Sequence, residues 1–328
     1  MYIICLVLGG AGAWLISCWG KALCLLDKPN ERSSHEGLVP KGGGIGILAA
    51  FALSSALLNI TPGFWLPITA IALFSFCGDR IEISPKLRLS LQFIAAIILL
   101  FAMNGAIQSR MSSFLLILGM IVFIVGTANF YNFMDGINGI AAITGIVGFG
   151  LLSLYSFLSG KDSLLVVLSI CISISCLGFL PFNTPKAKVF IGDVGSVLLG
   201  FVFAGMVVWI SKSILDFICL TAFLFPFYAD ELTTMVVRIR DGENLLHAHR
   251  RHLYQLLANE KGISQWKVSV GYGMLQLVVG ATVLLLRPFG TIIILSTLMA
   301  YFTCFAIVSV IIRKNVTAFV YIKKQDKY

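Results

Sequence analysis

Charged residues are scarce in this chain. Only 12% of its 328 residues are Asp, Glu, Lys or Arg, whereas 58% are hydrophobic, and the mean hydropathy is +0.95. An ordinary soluble domain carries about 25% charged residues. This shortage excludes a water-soluble globular protein and indicates a chain whose surface faces lipid.

Cysteine patterns that would indicate a disulfide framework or a zinc ribbon are also missing. The eight cysteines lie in or at the ends of apolar runs, and no two have Cys-x-x-Cys spacing. The formal net charge is +9, but the basic residues are dispersed and no aromatic-basic module accompanies them. We therefore expect anionic membrane lipids, and no nucleic acid, as partners.

What the sequence has instead is a succession of long apolar runs, each close to the roughly 20 residues of a spanning helix. They predict an all-α, polytopic integral membrane protein with about 11 transmembrane helices. The chain would form a single transmembrane catalytic domain over 1–328, with a basic C-terminal tail at about 313–328, because the longest inner loop, about 239–266, is too short to bury a core of its own. The runs lie roughly at 3–26, 43–60, 62–77, 89–106, 113–131, 139–159, 162–181, 195–212, 215–237, 267–286 and 289–312.

The distribution of Lys and Arg predicts the orientation. With the N-terminus outside, nineteen of the 24 basic residues fall in inner segments and four in outer segments. Basic loops are retained in the cytoplasm. Because each strongly polar cluster follows an odd-numbered run, we expect all of these clusters, and hence the catalytic loops, to be cytoplasmic.

The most informative polar motif is Asn132-Phe133-Met134-Asp135-Gly136-Ile137-Asn138-Gly139. Asn132, Asp135 and Asn138 recur every three residues and would share one helical face. Polar groups at the end of a membrane helix are costly unless they are used, although a loop of turn-forming residues would have a similar composition. We favour a binding site.

Glycines accompany charged residues at two predicted helix starts. Gly192-Asp193-Val194-Gly195-Ser196 opens the eighth run, where free backbone N–H groups favour a phosphate or a magnesium-phosphate unit; alternatively, Asp193 or Ser196 is only an N-cap. Pro40-Lys41-Gly42-Gly43-Gly44 opens the second run, where the glycines admit a ligand or, more commonly in membranes, a neighbouring helix. The first segment is a candidate anion site, and for the second segment the glycines alone favour helix packing.

All four histidines fall on the predicted inner face, and three belong to His247-Ala248-His249-Arg250-Arg251-His252. No Cys and no His-Glu-x-x-His pattern accompanies them, so we favour a phosphate-binding loop over a zinc site. A cationic interfacial helix is the alternative. Among the carboxylates, Asp79 could serve as metal ligand or proton acceptor, or it could merely cap a helix or pair with Arg80. Asp230 and Glu231 could pair with Arg238 or Arg240, or orient the histidine loop.

Taken in chain order, these motifs resemble those of the polyprenyl-phosphate N-acetylhexosamine-1-phosphate transferases (glycosyltransferase family 4). The resemblance covers about residues 27–255, and the histidine loop is most similar to that of the O-antigen-initiating UDP-N-acetyl-sugar:undecaprenyl-phosphate transferases. The matching segments are Asp27-x-Pro29-Asn30-x-Arg32-x-x-His35, Pro40-Lys41-x-Gly43-Gly44, Asp79-Arg80 with Ser84-Pro85-Lys86-x-Arg88, Asn132-Phe133-x-Asp135-Gly136-x-Asn138-Gly139, Phe190-x-Gly192-Asp193-x-Gly195-Ser196 and His249-Arg250-x-His252-x-Tyr254-Gln255.

The resemblance implies that undecaprenyl phosphate attacks the sugar-linked phosphate of a UDP-N-acetyl sugar, giving undecaprenyl-diphospho-sugar and UMP. The enzyme would need Mg²⁺, for which Mn²⁺ could substitute. It would act at the cytoplasmic face of a bacterial inner (plasma) membrane and initiate O-antigen or another cell-surface polysaccharide, in lipopolysaccharide or cell wall biogenesis. The resemblance leaves the sugar open among N-acetylglucosamine, N-acetylfucosamine and N-acetylquinovosamine. It also leaves open whether the protein forms a homodimer.

The family also implies a role for individual residues. Asp79, Asp135 and Asp193 would be catalytic, with Asp193 and Asp79 as metal ligands. The implied substrate-binding residues are Lys41 near the lipid phosphate or pyrophosphate, Phe190 on the uracil, Asn132 and Asn138 in the nucleotide pocket beside Asp135, and His249, Arg250 and His252 on phosphates.

One position departs from the family pattern, because Gly78-Asp79 stands where the family usually has an Asp-Asp pair. Three accounts are open: Asp79 and Asp193 suffice, Asp135 takes over, or the protein is a catalytically impaired, lipid-phosphate-binding relative. We favour activity, since a phosphomonoester with a second pKa near 6 is largely dianionic at pH 7 and needs no obligatory base. A secondary transporter is a weaker alternative, because transporters place polar groups near the bilayer midplane.

Overall fold

Helices make up most of the described chain. The computed structural model describes residues 1–27, 37–81, 83–103, 114–160, 162–244 and 249–325, with side chains described as far as residue 316. In this part, eight helices are long and apolar enough to cross a membrane, and two shorter apolar helices accompany them. The prediction of an all-α, polytopic membrane protein is confirmed. The count of about 11 crossings and the orientation stay predictions, and His35 and His247 lie outside the described residues.

The helices follow the predicted apolar runs, with one difference in the ninth. A 3₁₀ turn at Ala222–Leu224 interrupts run 215–237, and Pro226 then stands in the first turn of the next helix, where its missing N–H is tolerated. In chain order the elements are α1 (Tyr2–Trp19), β1 (Leu26–Asp27), β2 (Val39–Pro40), α2 (Ile45–Leu57), α3 (Pro62–Gly78), α4 (Pro85–Ala102), α5 (Phe114–Phe133), α6 (Ile140–Leu158), α7 (Ser163–Asn183), α8 (Gly192–Ile210), α9 (Ile214–Thr221), α10 (Phe225–Arg240), α11 (Leu253–Gln255), α12 (Gln265–Leu286) and α13 (Thr291–Gln325).

Helix α8 lies at the centre of the bundle. Every residue from Val194 to Val208 is buried, with α3 and α5 packed against it. Small residues permit this close packing: a Cβ added at Gly200 would lie 2.6 Å from the Cα of Ala128 in α5. Asp193 is therefore fixed at the start of the most enclosed helix.

One end of the bundle gathers the polar segments. The C-terminal ends of α3, α5 and α7 lie there, together with the N-terminal end of α8. Asp79 and Asn132 contact Asp193, and Asn183 contacts Val189 just before α8. A two-stranded antiparallel ladder, β1 with β2, leads into the Lys41 segment, and Lys41 forms a parallel bridge with Phe190. This ladder adds a small β element to an otherwise helical fold, and it places Lys41 at the polar end.

Candidate active site

Two carboxylates from distant parts of the chain meet at this end. Asp79 follows the last residue of α3, and Asp193 lies in the first turn of α8. The backbone N–H of Asp193 donates to Asp79 Oδ1 at 3.4 Å. The Asp79 side chain is buried, whereas that of Asp193 is 27% exposed. Asp193 is thus the member of the pair that solvent can reach.

Lys41 is the basic partner of Asp79. Its Nζ lies 3.7 Å from Asp79 Oδ1 and 4.0 Å from Asp27 Oδ1. The alternative that Asp79 merely pairs with Arg80 is not what the structure shows. Instead, the Lys41 ammonium group lies between Asp27 of β1 and Asp79 at the end of α3.

Arg88 is the basic partner of Asp193. It stands in the first turn of α4, which begins at Pro85 and is capped by the Ser84 hydroxyl. Its Nη1 donates to Asp193 Oδ2, and its Nη2 donates to the carbonyl oxygen of Gly78 at 3.4 Å. Each of the two carboxylates therefore faces one cation.

Asn132 fixes the orientation of Asp193. Its Nδ2 donates to Asp193 Oδ1 at 3.0 Å and to Ser196 Oγ at 2.8 Å, and the Ser196 hydroxyl donates to the Gly192 carbonyl oxygen at 3.1 Å. The N-cap of α8 is Ile191, which makes no side-chain capping bond. The alternative that Asp193 or Ser196 is only an N-cap is therefore wrong.

Two carboxylates at this end, Asp79 and Asp135, are hard to ionise. Burial raises the pKa of Asp79 to about 7; repulsion from Asp193 adds to the shift and Lys41 opposes it. Burial likewise raises the pKa of Asp135 to about 8, and repulsion from Asp193, Asp79 and Asp27 adds to it. A bound cation would relieve this repulsion.

The loop after α5 differs from its predicted form. Helix α5 ends before Asp135, so the prediction that Asp135 and Asn138 share one helical face with Asn132 is wrong. The turn is completed at Gly139, whose φ of +88° is favourable only for glycine. The Asn138 amide donates to the Pro185 carbonyl oxygen at 3.3 Å. Of the three polar side chains, Asn132 contacts Asp193 directly, while Asn138 joins two loops.

Two amide side chains that sequence reasoning missed hold this loop in place. Asn183 Oδ1 accepts from the Gly139 N–H at 2.6 Å, and Asn183 Nδ2 donates to the Val189 carbonyl oxygen at 2.9 Å. Gln265 Oε1 accepts from the Asn138 N–H at 3.0 Å. The only signal for them in the sequence was an amide at the end of an apolar run.

The Phe190 segment lies alongside the glycine segment. The N–H of Gly43 donates to the Phe190 carbonyl oxygen at 2.9 Å, and a Cβ at Gly44 would lie 2.5 Å from the Cα of Gly195. Close packing of backbones is therefore the role of these glycines that the structure shows, while the Lys41 side chain reaches Asp79. The predicted stacking of Phe190 on a uracil stays a prediction.

Asp230 organises the histidine segment from within α10. It is fully buried. Its Oδ1 accepts from the Leu253 N–H at 2.8 Å, and its Oδ2 accepts from the Tyr254 N–H at 3.1 Å and the Tyr272 hydroxyl at 2.7 Å. Of the two roles predicted for Asp230, orienting the histidine loop is the one in the structure.

Tyr254 connects the histidine segment to the Asp135 loop. Its hydroxyl donates to the Phe133 carbonyl oxygen at 3.1 Å, and a Cβ at Gly136 would lie 2.2 Å from that hydroxyl. Its ring stacks on His252, with centroids 5.6 Å apart and planes 15° apart. The histidine segment is thus part of the same end of the bundle as the carboxylates.

His249 and His252 lie together, with ring centroids 4.8 Å apart. Burial lowers the pKa of His249 to about 4, and burial also lowers the pKa of His252. Without a bound anion, burial therefore favours the neutral form of both imidazoles. A phosphate bound as predicted would favour their charged forms again.

The arginines of this segment form ion pairs within the protein. Arg250 Nη2 lies 2.8 Å from Glu260 Oε1, and Arg251 Nη2 lies 2.5 Å from Asp241 Oδ2. Residues 249–252 are not helical, so the alternative of a cationic interfacial helix is wrong here. A phosphate bound as predicted would share the Arg250 guanidinium with Glu260 or displace this carboxylate.

The donor set at Asp79 and Asp193 fits a hard divalent cation. Asp79 Oδ2 is buried and has no hydrogen-bond donor among the described residues, and a Cβ at Gly192 would lie 2.7 Å from it. Across the part of the chain that the structure describes, no three His, Cys, Asp or Glu side chains form a ready-made metal site. Mg²⁺ commonly takes only one or two protein carboxylates and completes its octahedron with water and substrate phosphate oxygens. Two carboxylates therefore suit this ion.

Fold and site together define a polytopic membrane protein with a two-carboxylate site at one end of its helix bundle. The model of the family described as Glycosyl transferase family 4 matches residues 61–211. This stretch runs from just before α3 to just after α8. It contains Asp79, Asn132, Asp135 and Asp193.

Similar proteins cover more of the chain. A decaprenyl-phosphate N-acetylglucosaminephosphotransferase of Mycobacterium leprae (strain TN) is 30% identical over 70% of this chain and 69% of its own length. Undecaprenyl-phosphate alpha-N-acetylglucosaminyl 1-phosphate transferases of Escherichia coli (strain K12) and Thermotoga maritima are 28% and 26% identical, over 72% and 77% of this chain and 70% and 79% of their own lengths. The chain belongs to glycosyltransferase family 4, among the polyprenyl-phosphate N-acetylhexosamine-1-phosphate transferases, as its motifs predicted.

Proposed function

We propose that the protein transfers an N-acetylhexosamine-1-phosphate from a UDP-sugar to undecaprenyl phosphate, giving undecaprenyl-diphospho-sugar and UMP. The observation that supports this most directly is the Asp79–Asp193 pair, held at one end of a membrane bundle with Lys41 and Arg88 as counter-ions. A reaction that brings two anions together needs such a site. The names of the similar proteins agree with it.

The reaction exchanges one phosphoanhydride for another. An oxygen of the lipid phosphate attacks the sugar-linked phosphorus of the UDP-sugar, and the bond from that phosphorus to the bridging oxygen breaks. UMP leaves with the bonding electrons. No proton has to be removed from the nucleophile, because a phosphomonoester is largely dianionic at pH 7. A second carboxylate at position 78 is therefore not needed as a base.

The protein's contribution would be to neutralise charge and to hold the reactants in line. Asp79 and Asp193 would hold Mg²⁺, which when bound neutralises charge on the diphosphate. Lys41 would bind a phosphate oxygen of the lipid or of the diphosphate. Asn132 keeps Asp193 in a fixed orientation, so that less reorganisation is needed during the reaction.

We propose N-acetylglucosamine as the first sugar to test, since the similar proteins are named for it. N-acetylfucosamine and N-acetylquinovosamine are the other candidates, as in O-antigen initiation. The protein would act at the cytoplasmic face of a bacterial inner membrane, which the excess of basic residues in the inner segments supports. It would thereby begin the assembly of a cell-surface polysaccharide.

The test is transfer of radiolabel from a UDP-N-acetyl sugar to undecaprenyl phosphate by the purified protein. Asp193→Asn and Asp79→Asn should each lower transfer by about 100-fold or more, the size of effect seen when one electrostatic group of a site is removed. Asp162→Asn is a matched control, because this exposed residue caps α7 at the other end of the bundle and Asn caps equally well. Transfer at the wild-type rate by both site variants would refute the proposal.

A further inference from the structure

Arg88 uses the same carboxylate that the proposed function assigns to a metal ion. Its Nη1 forms an ion pair with Asp193 Oδ2, while Asn132 occupies Asp193 Oδ1. Both oxygens of this carboxylate therefore already have donors within the protein. A divalent cation that binds through Oδ2 must compete with the guanidinium.

Asp79 is in a different situation, although it too has a basic neighbour. Lys41 Nζ lies 3.7 Å from Asp79 Oδ1, which is beyond a normal hydrogen bond. Asp79 Oδ2 has no donor among the described residues. A cation can bind this oxygen without displacing any group, so only the Asp193 half of the site requires an exchange of partners.

Gly78 leaves room for the Arg88 guanidinium because it has no side chain. A Cβ at Gly78 would lie 3.0 Å from Arg88 Nη2 and 3.4 Å from Cζ, and Nη2 donates to the Gly78 carbonyl oxygen. Gly78 is the last residue of α3, and its φ is not positive. The absence of a side chain, rather than any special conformation, is what this glycine contributes.

We propose that Arg88 is an internal counter-ion that competes with a divalent cation for Asp193 Oδ2, and that Gly78 is the residue that lets the guanidinium reach this position. The inference rests on the proposed function in so far as that function places a metal ion on Asp79 and Asp193. In the metal-free protein the pair keeps the partly exposed Asp193 carboxylate neutralised. Displaced from Oδ2 by such an ion, the guanidinium would lie beside the site and could bind an anionic oxygen.

The experiment is a titration of the purified, substrate-free protein with Mn²⁺, with the unbound ion measured by electron paramagnetic resonance. Arg88→Gln removes the competitor and should tighten Mn²⁺ binding by about five- to tenfold, in line with the strength of a partly exposed ion pair. Gly78→Ala leaves every charge in place but pushes the guanidinium away by a few tenths of an ångström. It should tighten binding by about two- to threefold, a fraction of the same effect.

Lys86→Gln is the matched control for the loss of one positive charge. Lys86 is exposed and lies in the same first turn of α4 as Arg88, so at physiological salt its removal should change Mn²⁺ affinity by less than about 1.5-fold. Thermal unfolding in detergent checks that each variant is folded. If Arg88→Gln and Gly78→Ala bind Mn²⁺ no more tightly than Lys86→Gln, competition is excluded.

Failure of this inference can be told apart from failure of the proposed function, because the titration contains neither sugar nor lipid. The expected order of affinities without any label transfer would support the competition and refute the transferase. Label transfer, together with equal Mn²⁺ affinities of the wild type, Arg88→Gln and Gly78→Ala, would support the transferase and exclude the competition. If no variant binds Mn²⁺, the competition and the metal assignment fail together.

Discussion

At the scale of single residues, Asp79 and Asp135 titrate far from their usual range. Burial, with repulsion from neighbouring carboxylates, raises their pKa values to about 7 and about 8, whereas an exposed Asp titrates near 3.9. Folding therefore favours their protonated forms. The stability that this contributes is fully present below about pH 4 and is lost as the pH rises through 7 and 8.

The metal-free protein in detergent should consequently have a melting temperature that falls between about pH 5 and pH 8.5. The fall should be smaller in Asp135→Asn, which cannot ionise at this position, and Mg²⁺ added at the upper pH should reverse much of it, because metal binding stabilises the deprotonated carboxylates. Thermal unfolding followed by intrinsic fluorescence measures this. A melting temperature that rises over the range would contradict the ionisation states described here.

The residues of the site were predictable from the sequence where a polar side chain stands at the end of an apolar run. Asp79, Asn132 and Asp193 stand out in this way, and the structure brings them together. The Arg88–Asp193 pair was not predictable from spacing, since 105 residues separate its members. Long-range pairs of this kind follow from helix packing, which no local pattern encodes.

At the scale of helices and loops, Tyr254 is the contact that joins the histidine segment to the Asp135 loop. Its hydroxyl fits against Gly136 so closely that a Cβ there would lie 2.2 Å from the oxygen and 3.1 Å from Cζ. Asp230 holds the backbone of Tyr254 from the other side. The relative position of the two segments therefore depends on the absence of a side chain at residue 136.

Gly136→Ala should lower the melting temperature by several degrees, the result of a destabilisation of about 1–3 kcal/mol from overpacking. Tyr254→Phe alone loses one hydrogen bond, worth about 1 kcal/mol. In the double variant the oxygen is gone and the nearest ring atom lies 3.1 Å away, so part of the loss should be recovered. Thermal unfolding of the four proteins measures this coupling, and strictly additive losses would show that the contact is not as close as described.

Helix positions were predictable from the apolar runs, but local geometry was less so. The period of three in Asn132, Asp135 and Asn138 predicted a helical face, yet α5 ends before Asp135 and the loop turns at Gly139. The turn at Gly139 therefore determined the local structure, and the period of three did not. Likewise, the structure divides the single predicted run 215–237 into α9, a 3₁₀ turn and α10. Apolar composition alone does not indicate where one type of helix changes to another.

At the scale of the whole molecule, the basic residues predict that the site end of the bundle faces the cytoplasm. Lys86 lies at the site end of the bundle and Ser163 at the start of α7, at the other end; both are exposed. With the exposed native cysteines replaced by serine, Ser163→Cys should react with a membrane-impermeant maleimide in intact cells. Lys86→Cys should react only after permeabilisation. The opposite pattern would place the site on the outer face and contradict the orientation that the basic residues predict.

The most direct test of the central claim follows the phosphorus atom next to the sugar. Purified protein is given UDP-N-acetylglucosamine labelled with ³²P at the sugar-linked phosphate, together with undecaprenyl phosphate and Mg²⁺. We predict that the label enters the lipid product, that excess UMP returns it to UDP-sugar, and that Asp193→Asn abolishes both directions. A lipid that gains sugar while the label stays with the nucleotide, or no labelled lipid at all, would contradict sugar-phosphate transfer at the Asp79–Asp193 site.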